Sequence, residues 1–373
     1  MSTASWRFAV DIQREDHAPV RQVEVLPDWE PLFECVRFLA LRQGAEPAAA
    51  FALDCCIEPV WHARRRAPYL EAIRAQTCGD AGAPLSITVD VDCFTAPARA
   101  VVAQLVMDGV LQNGDPVRCL PMAFARHAGG AQNRERRSAE TAQHGRFRMQ
   151  SRPPALTLRH ASLRALLACA TAPPHSSAEE TDEVPVFIPQ AVIDDVVELT
   201  RRVHGTFEIG GLLAGHLCRD VDGSGIYVEV TAQIPARHVE ATAARLTFTS
   251  DTWTEFRAAL ELRRRGEIML GWWHSHPVRA WCKDCPEKKQ RTCALRRDYF
   301  STEDRLLQRA MFPRAYSLGL VVNDIAHDDA TLSLFGWHRG SIEPRGYHVL
   351  DAAPATVADA AATQEDAPCA TTS

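Results

Sequence analysis

Glu267-Ile268-Met269-Leu270-Gly271-Trp272-Trp273-His274-Ser275-His276-Pro277 is the stretch on which the fold of this chain turns. Ile268 to Trp273 is an unbroken apolar run, as expected of a strand buried on both faces of a sheet. In an extended segment residues i and i+2 point to the same side. His274 and His276 therefore present two imidazoles to one point, and Pro277 ends the strand.

Around this strand, helical and extended patterns interleave. Upstream, the sequence predicts a strand at Val184–Ile188, a helix at Ala191–Val203, a Gly-interrupted strand at Glu208–Gly215, a strand at Ile226–Ile234 and a helix at Asp251–Arg265. Downstream it predicts a helix at Ser301–Met311, stopped by Pro313, then strands at Tyr316–Val322 and Thr331–Trp337. That order gives an α/β or α+β domain with a largely buried sheet over 184–350.

The rest of the 373 residues is organised around that domain. Residues 1–126 read as a small, uncharacterised α/β domain, a candidate for substrate or partner recognition. Its expected elements are a helix at Pro31–Arg42, a strand at Leu85–Asp92 and a helix at Pro97–Met107. Residues 127–183, rich in Gly, Ser, Pro and charge, are expected to be a flexible linker with a short helix near Ala161–Ala170. Residues 351–373, rich in Ala and Thr, are expected to be a disordered tail.

Composition narrows the class. The formal charge of −6 argues against a generally cationic nucleic-acid binder. No run of 18 apolar residues is present, so no membrane helix is expected. The start reads as no secretory signal, so a cytoplasmic setting with reduced thiols is expected for the twelve cysteines. Nine of these are scattered (Cys35, Cys55, Cys56, Cys78, Cys93, Cys119, Cys169, Cys218 and Cys369) and read as small buried hydrophobes or passive thiols. Three, Cys282, Cys285 and Cys293, fall in one stretch.

Two neutral imidazoles suit a catalytic zinc when joined by a hard oxygen donor, and Asp304 in Ser301-Thr302-Glu303-Asp304 is the candidate. Each piece also has a plain explanation. His-x-His in a strand is often incidental, and Ser-x-x-Asp before a helix resembles a capping box. The two roles of the second motif are compatible, because a cap fixes a carboxylate rigidly at a helix start.

Taken together, Glu208, Gly210-Gly211-Leu212-Leu213-Ala214-Gly215, His274-Ser275-His276-Pro277 and Ser301-x-x-Asp304 resemble the motif of the JAMM (MPN+) zinc metalloproteases, of prokaryotic type. The resemblance covers about Val184–Leu350. It implies a cytidine-deaminase-like fold, a curved sheet flanked by helices, and hydrolysis of peptide or isopeptide bonds at ubiquitin or ubiquitin-like C-termini. It implies His274, His276 and Asp304 as ligands of a catalytic zinc, Glu208 as general base then acid, and Ser301 as oxyanion donor. The expected partners are a ubiquitin-like conjugate as substrate, with ubiquitin-like conjugation enzymes as further candidates, and neither nucleic acid nor membrane. Without the resemblance, Glu208 reads as an ordinary strand-edge carboxylate. The small residues after it allow backbone to approach a ligand closely.

One departure is plain. The family leaves a short spacer between the second His and the Ser, whereas here residues 277–300 make 24. The surplus, 279–299, reads as an inserted module. Cys282-x2-Cys285-x7-Cys293 has the spacing of a second, structural zinc site, with His216, Cys218 and His238 as candidates for the fourth ligand. An iron–sulfur cluster, which wants four cysteines, and a free-thiol loop are the weaker readings. The stretch is locally basic, through Arg279, Lys283, Lys288, Lys289, Arg291, Arg296 and Arg297, and suits an acidic partner surface.

Two rivals remain. A base deaminase uses H-x-E followed by P-C-x-x-C. His238-Val239-Glu240 and Cys282-x-x-Cys285 approximate that pattern, but Trp281 replaces the Pro and His274 and His276 would be idle. The other rival is a non-catalytic MPN-type scaffold that binds a ubiquitin-like partner.

Overall fold

A computed structural model describes residues 6–64, 68–78, 84–125, 156–171, 184–203, 207–223, 225–237, 239–242, 245–286, 299–324 and 330–351. The described residues form two compact units: one of residues up to 157 with 309–315 and 337–342, the other of the remainder from 158.

The first unit contains strands β1 (Trp6–Arg14), β2 (Pro19–Val25), β3 (Cys55–Trp61), β4 (Leu70–Thr77), β5 (Ser86–Asp90) and β6 (Val117–Ala125). Helices Glu30–Arg42, Pro47–Phe51 and Thr95–Met107 lie between them. The strands make two antiparallel sheets, β2-β1-β6 and β3-β4-β5, and the strand expected at Leu85–Asp92 is β5. The two sheets meet at a bridge between Tyr69 and Met122. Alternate residues Phe8, Val10 and Ile12 of β1 face a core shared with Val36, Ile57, Ile73, Phe94 and Leu105. Two later pieces of chain complete this unit. Arg314 pairs with buried Glu34 at 2.8 Å, and Gly340 lies so close to Leu32 that a Cβ there would collide with its side chain.

The second unit is a mixed sheet flanked by helices. It holds β7 (Arg159–Ala161), β8 (Ala170–Thr171), β9 (Val186–Pro189), β10 (Gly210–Asp220), β11 (Ile226–Pro235), β12 (Val239–Thr242), β13 (Arg245–Phe248), β14 (Ile268–His276), β15 (Leu318–Asp324), β16 (Ala330–His338), β17 (Ser341–Arg345) and β18 (His348–Leu350). All but the β12–β13 hairpin join one curled sheet in the order β17-β16-β15-β14-β10-β11-β9-β18-β8. Strand β7 pairs with the far half of β10, beyond the reach of β14. Residues 158–171, expected as linker around a short helix, thus supply two sheet strands besides the helix Leu163–Ala168. The remaining parts of the expected linker and the tail beyond Asp351 lie outside the described residues.

Three helices frame the site: Gln190–Arg202, Ser250–Arg263 and Thr302–Met311. The first buries Val192, Ile193, Val196 and Thr200 along one stripe, the spacing of an amphipathic helix on a sheet. Strand β14 lies at the centre, antiparallel to β10 and parallel to β15. Both its faces are covered, so Leu270, Trp272, Trp273, His274 and His276 are all buried.

Candidate metal centre

The end of β14 carries His274 and His276 on one side of the sheet, as the i, i+2 rule requires. Asp304 enters from the first turn of the helix Thr302–Met311. The Ser301 hydroxyl accepts from the Asp304 amide at 3.0 Å, and the Asp304 carboxylate accepts from the Ser301 amide at 2.7 Å. This reciprocal cap holds the carboxylate against the imidazoles. The structural and chemical readings of Ser301-x-x-Asp304 coexist in one geometry.

The donor atoms converge. His274 Nε2 lies 3.0 Å from His276 Nε2 and 3.2 Å from Asp304 Oδ1, and His276 Nε2 lies 3.6 Å from Asp304 Oδ2. Ligands about 2.0–2.1 Å from a tetrahedral ion stand about 3.3 Å apart, so this triangle fits a metal ion. Electrostatics point the same way, since converging lone pairs demand positive charge. Burial alone would lower the His274 pKa, but Asp304 outweighs it and the pKa is raised. Burial would raise that of Asp304, but His274 and His276 hold it far below the carboxylate range. For His276, burial prevails and its pKa is lowered. These three residues form a buried group able to hold a metal ion.

Glu208 stands next to this triangle. The Ile209 carbonyl accepts from the Ser275 amide at 2.8 Å, and the Ile209 amide donates to the Ser275 hydroxyl at 3.0 Å. Gly210 pairs with His274, so Glu208 is carried to the level of His276. It is buried, and burial pushes its carboxyl up to about 7, against the pull of His274. A carboxyl poised there can accept and return a proton near neutrality.

Two of the glycines after Glu208 sit where β10 packs tightly. A Cβ on Gly211 would collide with the Ile234 carbonyl and stand 2.6 Å from Trp273 Nε1, and one on Gly215 would collide with the Glu229 carbonyl. Gly211 and Gly215 thus allow close strand contact on β10.

Comparison with protein-family models gives no match, and neither does comparison with curated proteins. Among solved structures, the chain is similar to a protein from Desulfitobacterium hafniense determined in solution. The identity is 18% and the TM-score 0.32, covering 45% of this chain and 95% of that one. The functional reading therefore rests on the residues of the centre.

Of the cysteine stretch, Cys282 is buried and Cys285 exposed, in a turn closed by the Cys285 amide on the Cys282 carbonyl at 2.9 Å. Cys293 and most of the basic run lie outside the described residues, as does His238. His216 and Cys218 both lie on β10. They stand six and eight residues beyond Gly210, about 20–26 Å along the strand from the end beside His274. There the Cys218 thiol lies 3.8 Å from Glu229, which also pairs with Arg159.

Three residues that sequence reasoning missed brace the centre. The Trp272 ring stacks on His274 with centroids 4.4 Å apart and planes 9° apart. Gln308 Oε1 accepts from Trp272 Nε1 at 2.6 Å. Asn323 Oδ1 lies 3.2 Å from His276 Nδ1. None forms a local motif with the histidines. Among the described residues no helix is long and apolar enough to cross a membrane.

Proposed function

We propose that this chain is a zinc-dependent hydrolase of the JAMM type, cutting the peptide or isopeptide bond that follows the C-terminus of ubiquitin or a ubiquitin-like protein. The observation that carries this reading is the convergence of His274, His276 and Asp304 with Glu208 beside them, its carboxyl raised to about 7. The class of substrate comes from the resemblance of Glu208, His274-x-His276-Pro277 and Ser301-x-x-Asp304 to the JAMM motif.

Two imidazoles and a carboxylate are the donor set of a catalytic zinc that keeps one position open, and such an ion lowers the pKa of its water towards 7. Glu208 takes the proton of the attacking water and passes it to the leaving amine. Ser301 accepts from the Asp304 amide, which leaves its own O–H free to donate to the developing oxyanion. Cys282, Cys285 and Cys293 would hold a second zinc, whose role would be structural.

The test is Glu208→Gln assayed on ubiquitin-like fusions, with and without a zinc chelator. Chelator-sensitive cleavage by the parent chain, abolished in the variant, is the expected result. Cleavage that persists unchanged in Glu208→Gln overturns the catalytic assignment. An inert parent chain that still binds such a fusion favours a scaffold.

A further inference from the structure

The two histidines of the centre are held by different means, and the difference assigns a role to Asn323. His274 Nδ1 is buried without a hydrogen-bond partner, so that ring is oriented by its stack on Trp272. His276 is placed by a hydrogen bond. It pairs with Asn323 across β14 and β15, and Asn323 is fully buried.

The structure turns the Asn323 oxygen to the imidazole and its NH2 to the next strand. Asn323 faces Thr331 on β16, and its Nδ2 donates to Thr331 Oγ1 at 3.4 Å. An amide that directs its NH2 to a hydroxyl turns its oxygen to the imidazole. His276 Nδ1 must then carry the hydrogen, which leaves the Nε2 lone pair aimed at His274 and Asp304.

We propose that Asn323 is a positioning residue that locks His276 in its Nε2-ligating tautomer and thereby sets the affinity of the centre for zinc. The inference rests on the metal-binding part of the proposed function and is independent of the substrate. Outer-shell partners of ligating histidines typically govern about 10–100-fold in metal affinity.

The experiment titrates zinc into the full chain against a chromophoric chelator and records the visible spectrum of the cobalt(II) form. Asn323→Ala is expected to bind zinc about 10–100-fold more weakly, with an altered cobalt spectrum. Asn323→Asp keeps an acceptor at the same place and is expected to restore both. Parental affinity in Asn323→Ala, or equal loss in the Ala and Asp variants, overturns the proposal. If Asn323→Ala does not fold, Thr331→Ala decides. Thr331 is exposed, and its loss removes the hydroxyl that accepts from the Asn323 NH2, so zinc binding should weaken severalfold; unchanged binding overturns the proposal. Proteolysis plays no part in these readouts, so failure of the hydrolase reading leaves them intact. A parent chain that binds zinc no better than His276→Ala overturns the proposal together with the metal centre.

Discussion

Ile209 and Ser275 are joined twice, by the Ser275 amide to the Ile209 carbonyl at 2.8 Å and by the Ile209 amide to the Ser275 hydroxyl at 3.0 Å. Ser275 stands between the two histidines and Ile209 directly follows Glu208, so this clip ties Glu208 to His274 and His276. Ser275→Ala removes the hydroxyl half of the clip and leaves a near-buried amide unpaired. The cost should be about 1 kcal/mol of stability. Zinc affinity should hold, while kcat for the proposed hydrolysis falls by about tenfold, since misplacement of a reacting group acts on the barrier. Equal kcat in parent and variant would show that the clip does not position Glu208.

The buried Glu208 makes stability depend on pH. Burial raises its carboxyl from 4.5 to about 7. Between those values the metal-free folded chain holds a proton that the unfolded chain has released. Stability contributed by the protonated form is therefore lost as pH rises through that window. Glu208→Gln removes the titration. The metal-free variant should match the parent near pH 4.5 and exceed it by about 1–3 kcal/mol at pH 8. Urea unfolding of both chains after metal removal measures this, and a gap that does not widen with pH would refute it.

Gln308 reaches the centre through Trp272, whose ring lies flat on His274. Gln308→Leu leaves the buried indole N–H without its acceptor, at a cost of about 1–3 kcal/mol. Because Gln308 Nε2 is itself unpaired in the native chain, removing it offsets part of that loss. A net loss of about 1 kcal/mol is expected, with weaker zinc binding. Gln308→Glu keeps an acceptor and should bind zinc more tightly than the Leu variant. Identical zinc affinity in the two would disconnect Gln308 from the metal site.

These braces mark the limit of what sequence could reveal. His274, His276, Ser301 and Asp304 are legible because their geometry is local, set by strand alternation and a helix cap. Asn323 is 47 residues from His276 and Gln308 is 36 from Trp272, so only sheet register in the first case and helix-on-sheet packing in the second bring them together. The long strands and the helices of the second unit are readable for a related reason, since buried strands and amphipathic helices impose their own periods, whereas the short strands β7, β8, β12, β13, β17 and β18 are not. The first unit is less readable. β1 does carry the alternation of a half-buried strand, Val10 and Ile12 against Asp11 and Gln13, but β3 contains Pro59, a residue that argues against a strand. In β4, Leu70 and Ile73 have helical spacing, and pairing with β3 and β5 overrides it.

Trp281 and Tyr299 flank the cysteine stretch at its two ends, and both rings approach His276, with centroids 5.1 and 5.6 Å away. Residues at both ends of the stretch therefore meet at His276. Rings so placed limit the access of water and of chelators to the imidazole. Trp281→Ala should leave equilibrium zinc affinity near the parental value, because neither ring donates to the ion. It should instead speed removal of zinc by a chelator severalfold, measured by stopped-flow mixing of the loaded chain. Tyr299→Ala should act in the same direction but less strongly, since Tyr299 is 36% exposed and covers less of the ring. Removal at the parental rate in both variants would mean that the aromatic pair does not guard the centre.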